Sequence, residues 1–329
     1  MRAKAKRLTL RVSAYDPSKD GITQSLLGTF LTCREKARLY LEKTTPLGRK
    51  SAMDAGSLYH GALERLYRES QRRYPEPWSP TAVWVDEMLR KVEDDFRIKN
   101  QRATPEDLQE IENTLGQLSH VLPAYAEHWS GDFTGNLEWI GLENQFKIPA
   151  PMGLPADLTG KLDGAFTRGP KSLWLFETKT KAQISGDALE DSLPIDLQVQ
   201  YYLYVLRVIT GRKPRGVLYN VLRRPQLRQK KDETFSEFIM RVGVDLKERP
   251  EHYFHRWEVP VSEDEMDAFE RDLALYVKDF IAWHEGSLSH YKNPRACLQP
   301  WACEFLPICG AGRREGFYTR ERLFQELDV

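Results

Sequence analysis

Two short blocks in the middle of the chain end in charged residues that could hold a metal ion. Residues 158–164 contain Asp163, and residues 173–179 contain Glu177 and Lys179. Each block predicts a β-strand, and because side chains alternate faces along a strand, Glu177 and Lys179 point the same way. Carboxylates are preferred ligands of Mg²⁺ or Mn²⁺, and a nearby ammonium can orient water or phosphate. The blocks therefore predict metal-dependent chemistry, with both carboxylates solvated when no metal is bound.

The spacing around these residues adds to the prediction. A Glu-x-Lys triplet alone has little specificity, but here Gly160-x-x-Asp163 precedes it on what should be the neighbouring strand. His60 lies in a predicted helix from about Met53 to Arg72. It is either a half-buried helical histidine or a nitrogen ligand to the same metal.

A later helical segment, residues 197–204, contains two glutamine and tyrosine pairs with helical spacing. Gln198 and Tyr202 share one helix face, whereas Gln200 and Tyr204 share another. Amide and phenol groups can contact phosphate or a nucleobase. The alternative is that the tyrosines simply pack on the sheet.

The four cysteines form a further candidate site. They are Cys33, Cys297, Cys303 and Cys309. Four thiolates suit an iron–sulfur cluster or structural zinc, although zinc sites more often contain cysteine pairs two residues apart. Such a site would join the two ends of the domain and constrain the unfolded chain.

Basic residues are concentrated in several places that could bind phosphates. The main stretch follows a predicted strand and includes Arg223, Arg224 and Arg228. Others lie in the N-terminal arm and around the first cysteine: Lys4, Lys6, Arg7, Arg11, Arg34, Lys36 and Arg38. Charge runs are most often solvated loops, so this evidence supports nucleic-acid binding without establishing it.

Composition places the protein in a broad class. The 329 residues are 41% apolar and 29% charged, which is typical of a globular chain with a core. Lys+Arg and Asp+Glu both number 48, so net charge does not indicate a nucleic-acid partner. No run approaches the ~20 apolar residues of a membrane span, and the basic N-terminus is not followed by the apolar core of a secretory signal. We expect a cytoplasmic protein, without membrane partners or an ATP-binding phosphate loop.

Hydrophobic periodicity predicts a mixed α/β fold. The predicted strands are 137–149, 157–167, 172–179, 215–223 and 252–260. Helices are predicted to begin near Thr23 or Ser25 and to cover 81–130, 194–210 and 262–285. We expect a single domain over 1–329 with a helical insertion over 75–130 and a cysteine segment over 290–310 that closes on Cys33.

Taken in order, these motifs resemble the RecB-like branch of the PD-(D/E)xK nuclease superfamily. More narrowly they resemble its iron–sulfur members: the AddB-type and CRISPR-adaptation nucleases and standalone phage exonucleases. The similarity extends over about residues 22–310, and seven short motifs occur in the expected order. The resemblance implies a restriction-endonuclease-like core, a mixed central sheet with flanking helices.

The resemblance also implies residue roles. His60, Asp163, Glu177 and the backbone carbonyl of Thr178 would bind Mg²⁺ or Mn²⁺, and Lys179 would be the catalytic lysine. Gln198 and Tyr202 would hold DNA or the lysine. The cysteines would bind a structural 4Fe–4S cluster, although Cys297-x5-Cys303 is wider than the usual first spacing. Glu143 matches a glutamate often found upstream in this branch.

The activity implied is DNA exonuclease, with DNA ends, single-stranded or resected, as substrate and a helicase or recombination protein as a possible partner. Roles in DNA repair and recombination belong to such modules. Two alternatives stay open: a catalytically degenerate DNA-binding or helicase-partner module, and a structure-specific endonuclease.

Overall fold

The computed structural model describes residues 15–47, 51–99, 105–135, 137–169, 172–184, 186–300, 302–324 and 327. The basic N-terminal residues predicted to form an arm, among them Lys4, Lys6, Arg7 and Arg11, lie outside the described residues. In the described part of the chain, none of the helices combines the length and apolar character needed to cross a bilayer.

The protein is built from helices and strands that alternate along the chain. The helices are α1 (Gln24–Thr32), α2 (Arg34–Leu41), α3 (Ser51–Arg73), α4 (Ala82–Lys99), α5 (Pro105–His128), α6 (Gly186–Ser192), α7 (Leu197–Thr210), α8 (Phe235–Glu248), α9 (Pro250–Tyr253), α10 (Glu263–His284) and α11 (Leu306–Ala311). The strands are β1 (Thr44–Pro46), β2 (Glu138–Pro149), β3 (Asp157–Thr167), β4 (Leu173–Lys181), β5 (Pro214–Arg223), β6 (Phe254–Pro260) and β7 (Phe317–Thr319).

The central sheet has five strands in the order β2-β3-β4-β5-β6. Only β4 and β5 are parallel, and α6 and α7 make the crossover between them; the other pairs are antiparallel. These are the five strands predicted from the sequence, so the mixed α/β fold is confirmed. The sheet and its flanking helices are consistent with a restriction-endonuclease-like core.

The two faces of the sheet have separate hydrophobic cores. Helices α1, α7 and α10 cover one face, where Leu175 and Val217 are buried. Helices α3, α4, α5 and α8 cover the other, where Phe176 and Leu218 are buried. Since consecutive strand residues point to opposite faces, a buried sheet of this kind needs apolar residues at nearly every position, which is the pattern seen in β4 and β5.

The segment 81–130 was predicted to be helical. Helices α4 (Ala82–Lys99) and α5 (Pro105–His128) cover most of it, and residues 100–104 between them lie outside the described residues. Helix α8 was not predicted, although Thr234 and Glu237 form a capping box at its start. The status of 75–130 as an insertion into one domain stays a prediction.

Helix α7 is fixed at both ends, which matters because it carries Gln198. The Asp196 side chain accepts the N–H of Val199 at 3.0 Å and caps the first turn. The helix ends at Gly211, whose φ of 63° is in the left-handed region that glycine tolerates. The rotation of α7 about its axis is therefore set by its caps and its apolar face.

The C-terminal segment packs on the N-terminal helices. Strand β7 pairs with β1 in a two-stranded antiparallel sheet. Asn293 donates from Nδ2 to the Thr32 carbonyl at 2.9 Å, and its backbone N–H points to Cys33 Sγ at 3.4 Å. The two ends of the described chain are thus held together beside the first cysteine.

Candidate active site

Glu177 lies in the middle of β4 and is fully buried, with 0% of its side chain exposed. Its Oε1 accepts hydrogen bonds from Lys179 Nζ at 2.6 Å and from Gln198 Nε2 at 2.7 Å. The prediction that Glu177 and Lys179 point the same way is therefore correct. The expectation that Glu177 is solvated without metal was wrong, because β4 is a central strand covered on both faces.

Asp163 lies on β3, where the strand separates from β4. The pairing of these strands ends, among the described residues, at Gly164 opposite Phe176. Two residues after Phe176 on β4, the backbone N–H of Thr178 donates to Asp163 Oδ2 at 2.8 Å instead. The gap between the strands thus brings the Asp163 carboxylate next to Glu177 and Thr178.

A histidine and a second glutamate complete a cluster around Asp163. One ligand atom from each of His60, Glu143 and Asp163 lies within 4.8 Å of the other two. His60 reaches the cluster from α3 and Glu143 from β2. Glu177 is not within that distance of two of them, so it lies to one side of the cluster.

Glu143 has an unusual backbone conformation. Its φ is 50°, in the left-handed region that glutamate seldom adopts, which costs on the order of 1–3 kcal/mol. Its carboxylate is ion-paired with Lys161 of β3. Strain of this kind is concentrated at functional sites. Sequence reasoning gave Glu143 little weight and did not identify Lys161, although Lys161 lies two residues before Asp163 and so shares its strand face.

Burial and like charges shift the protonation of the acidic groups. Burial, followed by the charge of Asp163, raises the pKa of Glu177 to about 8. Burial and Asp163 also raise the pKa of Glu143 to about 7, against the opposing effect of Lys161. Each of these two carboxyls therefore binds a proton more tightly than an exposed glutamate does, and a metal ion would have to displace that proton.

The two basic groups shift in opposite directions. Burial lowers the pKa of His60 and keeps the ring neutral, with a lone pair free to bind metal. Burial also disfavours the charge of Lys179, but Glu177 and Asp163 outweigh that effect and raise its pKa. The site therefore contains a charged lysine ammonium, but this single positive charge does not offset the repulsion between the neighbouring carboxylates.

The oxygen and nitrogen atoms of this site are suitable ligands for a divalent cation. Glu177 Oε2 is buried and has no hydrogen-bond partner. A buried acceptor without a partner costs free energy, typically 1–3 kcal/mol, and a hard cation would satisfy it. Carboxylate oxygens and a neutral imidazole are suitable ligands for Mg²⁺ or Mn²⁺.

The glycine of the Gly160-x-x-Asp163 motif has a packing role. A Cβ atom at Gly160 would lie 2.8 Å from Cζ of Phe146, which is paired with it on β2. Phe146 is itself buried and contacts the rings of Tyr201 and Tyr202. Glycine at this position therefore allows β2 and β3 to pair close to the site.

The structure distinguishes the two glutamine and tyrosine pairs on α7. Gln198 contacts Glu177, whereas Gln200 Nε2 donates to the Pro194 carbonyl at 2.8 Å. Tyr202 is 9% exposed and packs against Phe146. The geometry favours Gln198 as the site glutamine and gives Tyr202 a place in the core beside the site.

The predicted basic residues lie in two settings. Arg223 ends β5 and Arg224 follows it, and the Arg224 N–H donates to the Lys181 carbonyl at 2.8 Å. Both arginines are therefore at the end of β5 that pairs with the last residues of β4, beyond Lys179. Arg223 Nη1 lies 3.3 Å from His252 Nδ1. Arg228 is exposed in the segment that follows.

All four cysteines line one pocket of about 350 Å³, counting its opening to solvent. None is in a disulfide. Cys33 lies between α1 and α2, while the other three come from the C-terminal segment: Cys297, Cys303 and Cys309. The sequence prediction that these distant residues meet is supported by the shared pocket, and four free thiols around one space fit a metal group.

The fold and the acidic cluster define a class of protein in which a mixed sheet brings carboxylates and a lysine together where two inner strands separate. The chain matches the family described as the PD-(D/E)XK nuclease superfamily over residues 22–310. It belongs to that superfamily, whose members are nucleases that use divalent metals. No curated protein matches the chain.

Proposed function

We propose that this protein is a Mg²⁺- or Mn²⁺-dependent DNA exonuclease with a structural iron–sulfur cluster. The observation that carries the proposal is the meeting of Glu177, Lys179 and Asp163 where β3 and β4 separate, with one oxygen of Glu177 buried and unpartnered. Membership of the superfamily supports hydrolysis of phosphodiester bonds.

The metal would be held by His60, Asp163 and Glu177, with the carbonyl of Thr178 and with Glu143 as a further carboxylate. When bound, it supplies Lewis-acid activation of the scissile phosphate and of water. The carboxylates must lose their protons to take it up. His60 is already neutral and needs no such change.

We assign to Lys179 the role of contacting the attacking water and the scissile phosphate. Its ammonium is held by Glu177 at 2.6 Å and is partly exposed, with 30% of the side chain accessible. From this position it can donate to the attacking water and to a phosphate oxygen as negative charge increases. Attack of water on phosphorus breaks the bond to the 3′ oxygen and leaves a 5′-phosphate and a 3′-hydroxyl.

Gln198 acts through Glu177. Its amide holds Oε1 and leaves Oε2 without a hydrogen-bond partner, free to bind a cation. Arg223, Arg224 and Arg228 are assigned to DNA binding, on the basis of the resemblance and of their place near the end of β5 beside Lys179. Tyr202, which is 9% exposed, is assigned to packing beside the site. Phosphate contacts of this kind give affinity that falls as salt rises.

The pocket geometry supports an iron–sulfur cluster over zinc. A single zinc with bonds of about 2.3 Å holds its four sulfurs within roughly 4 Å of one another. No three of the cysteine sulfurs are mutually within 4.8 Å among the described residues. The wider spacing of the sulfurs suits a polynuclear cluster.

The activity is tested with labelled DNA under anaerobic conditions. Oligonucleotides labelled at the 5′ or 3′ end, linear duplex and circular single strands are incubated with the protein and Mn²⁺. We expect stepwise loss of one end label, intact circles, and no cleavage by Asp163→Ala. Cut circles would make the protein a structure-specific endonuclease. Binding without cleavage would make it a DNA-binding or helicase-partner module.

A further inference from the structure

Thr178, Asn220 and Arg256 form a polar row across three neighbouring strands of the sheet. Asn220 is the register partner of Thr178 on β4 and of Arg256 on β6. The row lies on the face opposite Glu177 and Lys179, because consecutive strand residues alternate. Polar residues are unexpected here, since the face is otherwise covered by the core of α3, α5 and α8.

Asn220 is the most anomalous member of the row. It is fully buried, and its neighbours along β5 are apolar or aromatic. Asparagine is disfavoured in central strands, and a buried amide must find partners. Its Oδ1 accepts from Arg256 Nε at 2.9 Å and from Tyr125 Oη at 3.0 Å, and its Nδ2 donates to Thr178 Oγ1 at 3.4 Å.

Arg256 holds Asn220 in place. Its side chain is 8% exposed, and its guanidinium also donates to Asp132, with Nη1 to Oδ1 at 3.0 Å. Nη2 donates to Tyr67 Oη at 2.7 Å and to Tyr125 Oη at 2.9 Å. Replacing a buried ion pair with apolar residues is often neutral or stabilising. Stability alone therefore does not explain this network.

Thr178 connects the network to the site. Its hydroxyl accepts from Asn220 on one face of the sheet, while its backbone N–H donates to Asp163 Oδ2 at 2.8 Å. On the side facing β3, where the two strands have separated, the Thr178 N–H is held by Asp163 and not by a ladder hydrogen bond, while β4 stays paired with β5 on its other side. The side-chain bond to Asn220 adds to the β5 pairing a restraint on the orientation of the Thr178 peptide.

We propose that Asn220, held by Arg256, is a positioning residue: through Thr178 it orients the Asp163 carboxylate and the Thr178 carbonyl for metal binding. The inference rests on the proposed metal-dependent function. Outer groups that orient metal ligands typically change metal affinity by 10–100-fold when they are removed. Asn220 and Arg256 touch neither substrate nor metal, and they act through the peptide.

The test compares two variants of the same network. Thr178→Val removes the hydroxyl with almost no change in shape and breaks the connection to the site. Tyr67→Phe removes a hydroxyl that binds Arg256 and Asp132 at the far end of the network. Thr178→Ser keeps the hydroxyl and serves as the rescue variant. Each is measured for melting temperature and, without DNA, for Mn²⁺ affinity by calorimetry.

We expect Thr178→Val to weaken Mn²⁺ binding by roughly tenfold, and Thr178→Ser to bind within about twofold of the parent. Tyr67→Phe should lower the melting temperature but leave Mn²⁺ affinity within about twofold. Unchanged affinity in folded Thr178→Val, or equal losses in Thr178→Val and Tyr67→Phe, would overturn the inference. A parent protein that binds Mn²⁺ but cuts no DNA would refute the proposed function alone, whereas a parent that binds no Mn²⁺ would refute both.

Discussion

Gln198 and Glu177 are joined by a hydrogen bond of 2.7 Å between α7 and β4. Lys179 donates to the same oxygen, Oε1, so Oε2 is the atom left for a cation. Two donors on one oxygen fix the plane of a carboxylate that is buried and would otherwise rotate. This relationship makes Gln198 a residue whose effect on catalysis can be separated from DNA binding.

Gln198→Ala should lower the rate of DNA cleavage by about 10–100-fold, because the Glu177 carboxylate loses its orientation. The effect should appear in kcat and in the Mn²⁺ concentration needed for half-maximal rate, with little change in the affinity for DNA. Gln200→Ala is the matched control, since the Gln200 side chain donates to the Pro194 carbonyl and not to Glu177. Equal losses in both variants would contradict this role.

Metal binding should depend on pH. The pKa of Glu177 is raised to about 8 from an ordinary value of 4.5, so the carboxyl holds a proton at neutral pH and must release it to bind a cation. Mn²⁺ affinity should rise with pH up to about 8 and then level off. Calorimetry in two buffers of different protonation enthalpy should detect proton release, and Glu177→Gln should reduce it.

The same shift has a consequence for the metal-free protein. Between pH 4.5 and about 8 the folded state binds more protons at Glu177 than the unfolded state does. The free energy of unfolding should therefore fall as pH rises through that window. Glu177→Gln should flatten the dependence. A metal-free stability that rises across the same range in the parent but not in the variant would be incompatible with this shift.

The cysteine site should be structural. Cys303→Ser should lose bound iron and its broad visible absorption and should lower the melting temperature, because the proposed cluster would join the start of α2 to the C-terminal segment. Asp163→Ala is the control and should keep both iron and colour. Stoichiometric zinc in colourless protein purified without oxygen would replace the cluster with a zinc site.

Gly160→Ala should destabilise the fold by about 1–3 kcal/mol, because a Cβ there lies 2.8 Å from the confined Phe146 ring. Chemical denaturation measures the change. Phe146→Leu in the same chain should recover part of the loss, as expected for residues in contact. Gly186→Ala, where no atom lies within 4 Å of the new Cβ, should be neutral within about 0.5 kcal/mol.

The local pattern of apolar and charged residues was sufficient to predict much of the fold. Hydrophobic patterning placed all five strands of the central sheet within a few residues, and the spacing of Glu177 and Lys179 put both on one face. These features depend on neighbours along the chain, where the geometry of a strand relates side chains two positions apart. The order of the motifs along the chain was likewise evident from the sequence alone.

Packing between distant segments decided the rest. Burial of Glu177, the choice of Gln198 over Gln200, and the backbone of Glu143 depend on which helix covers which strand. The polar row from Thr178 to Arg256 depends on strand order, which no single strand encodes. Periodicity specifies the face on which a side chain lies, but its protonation and partners are set by segments that meet only when the chain folds.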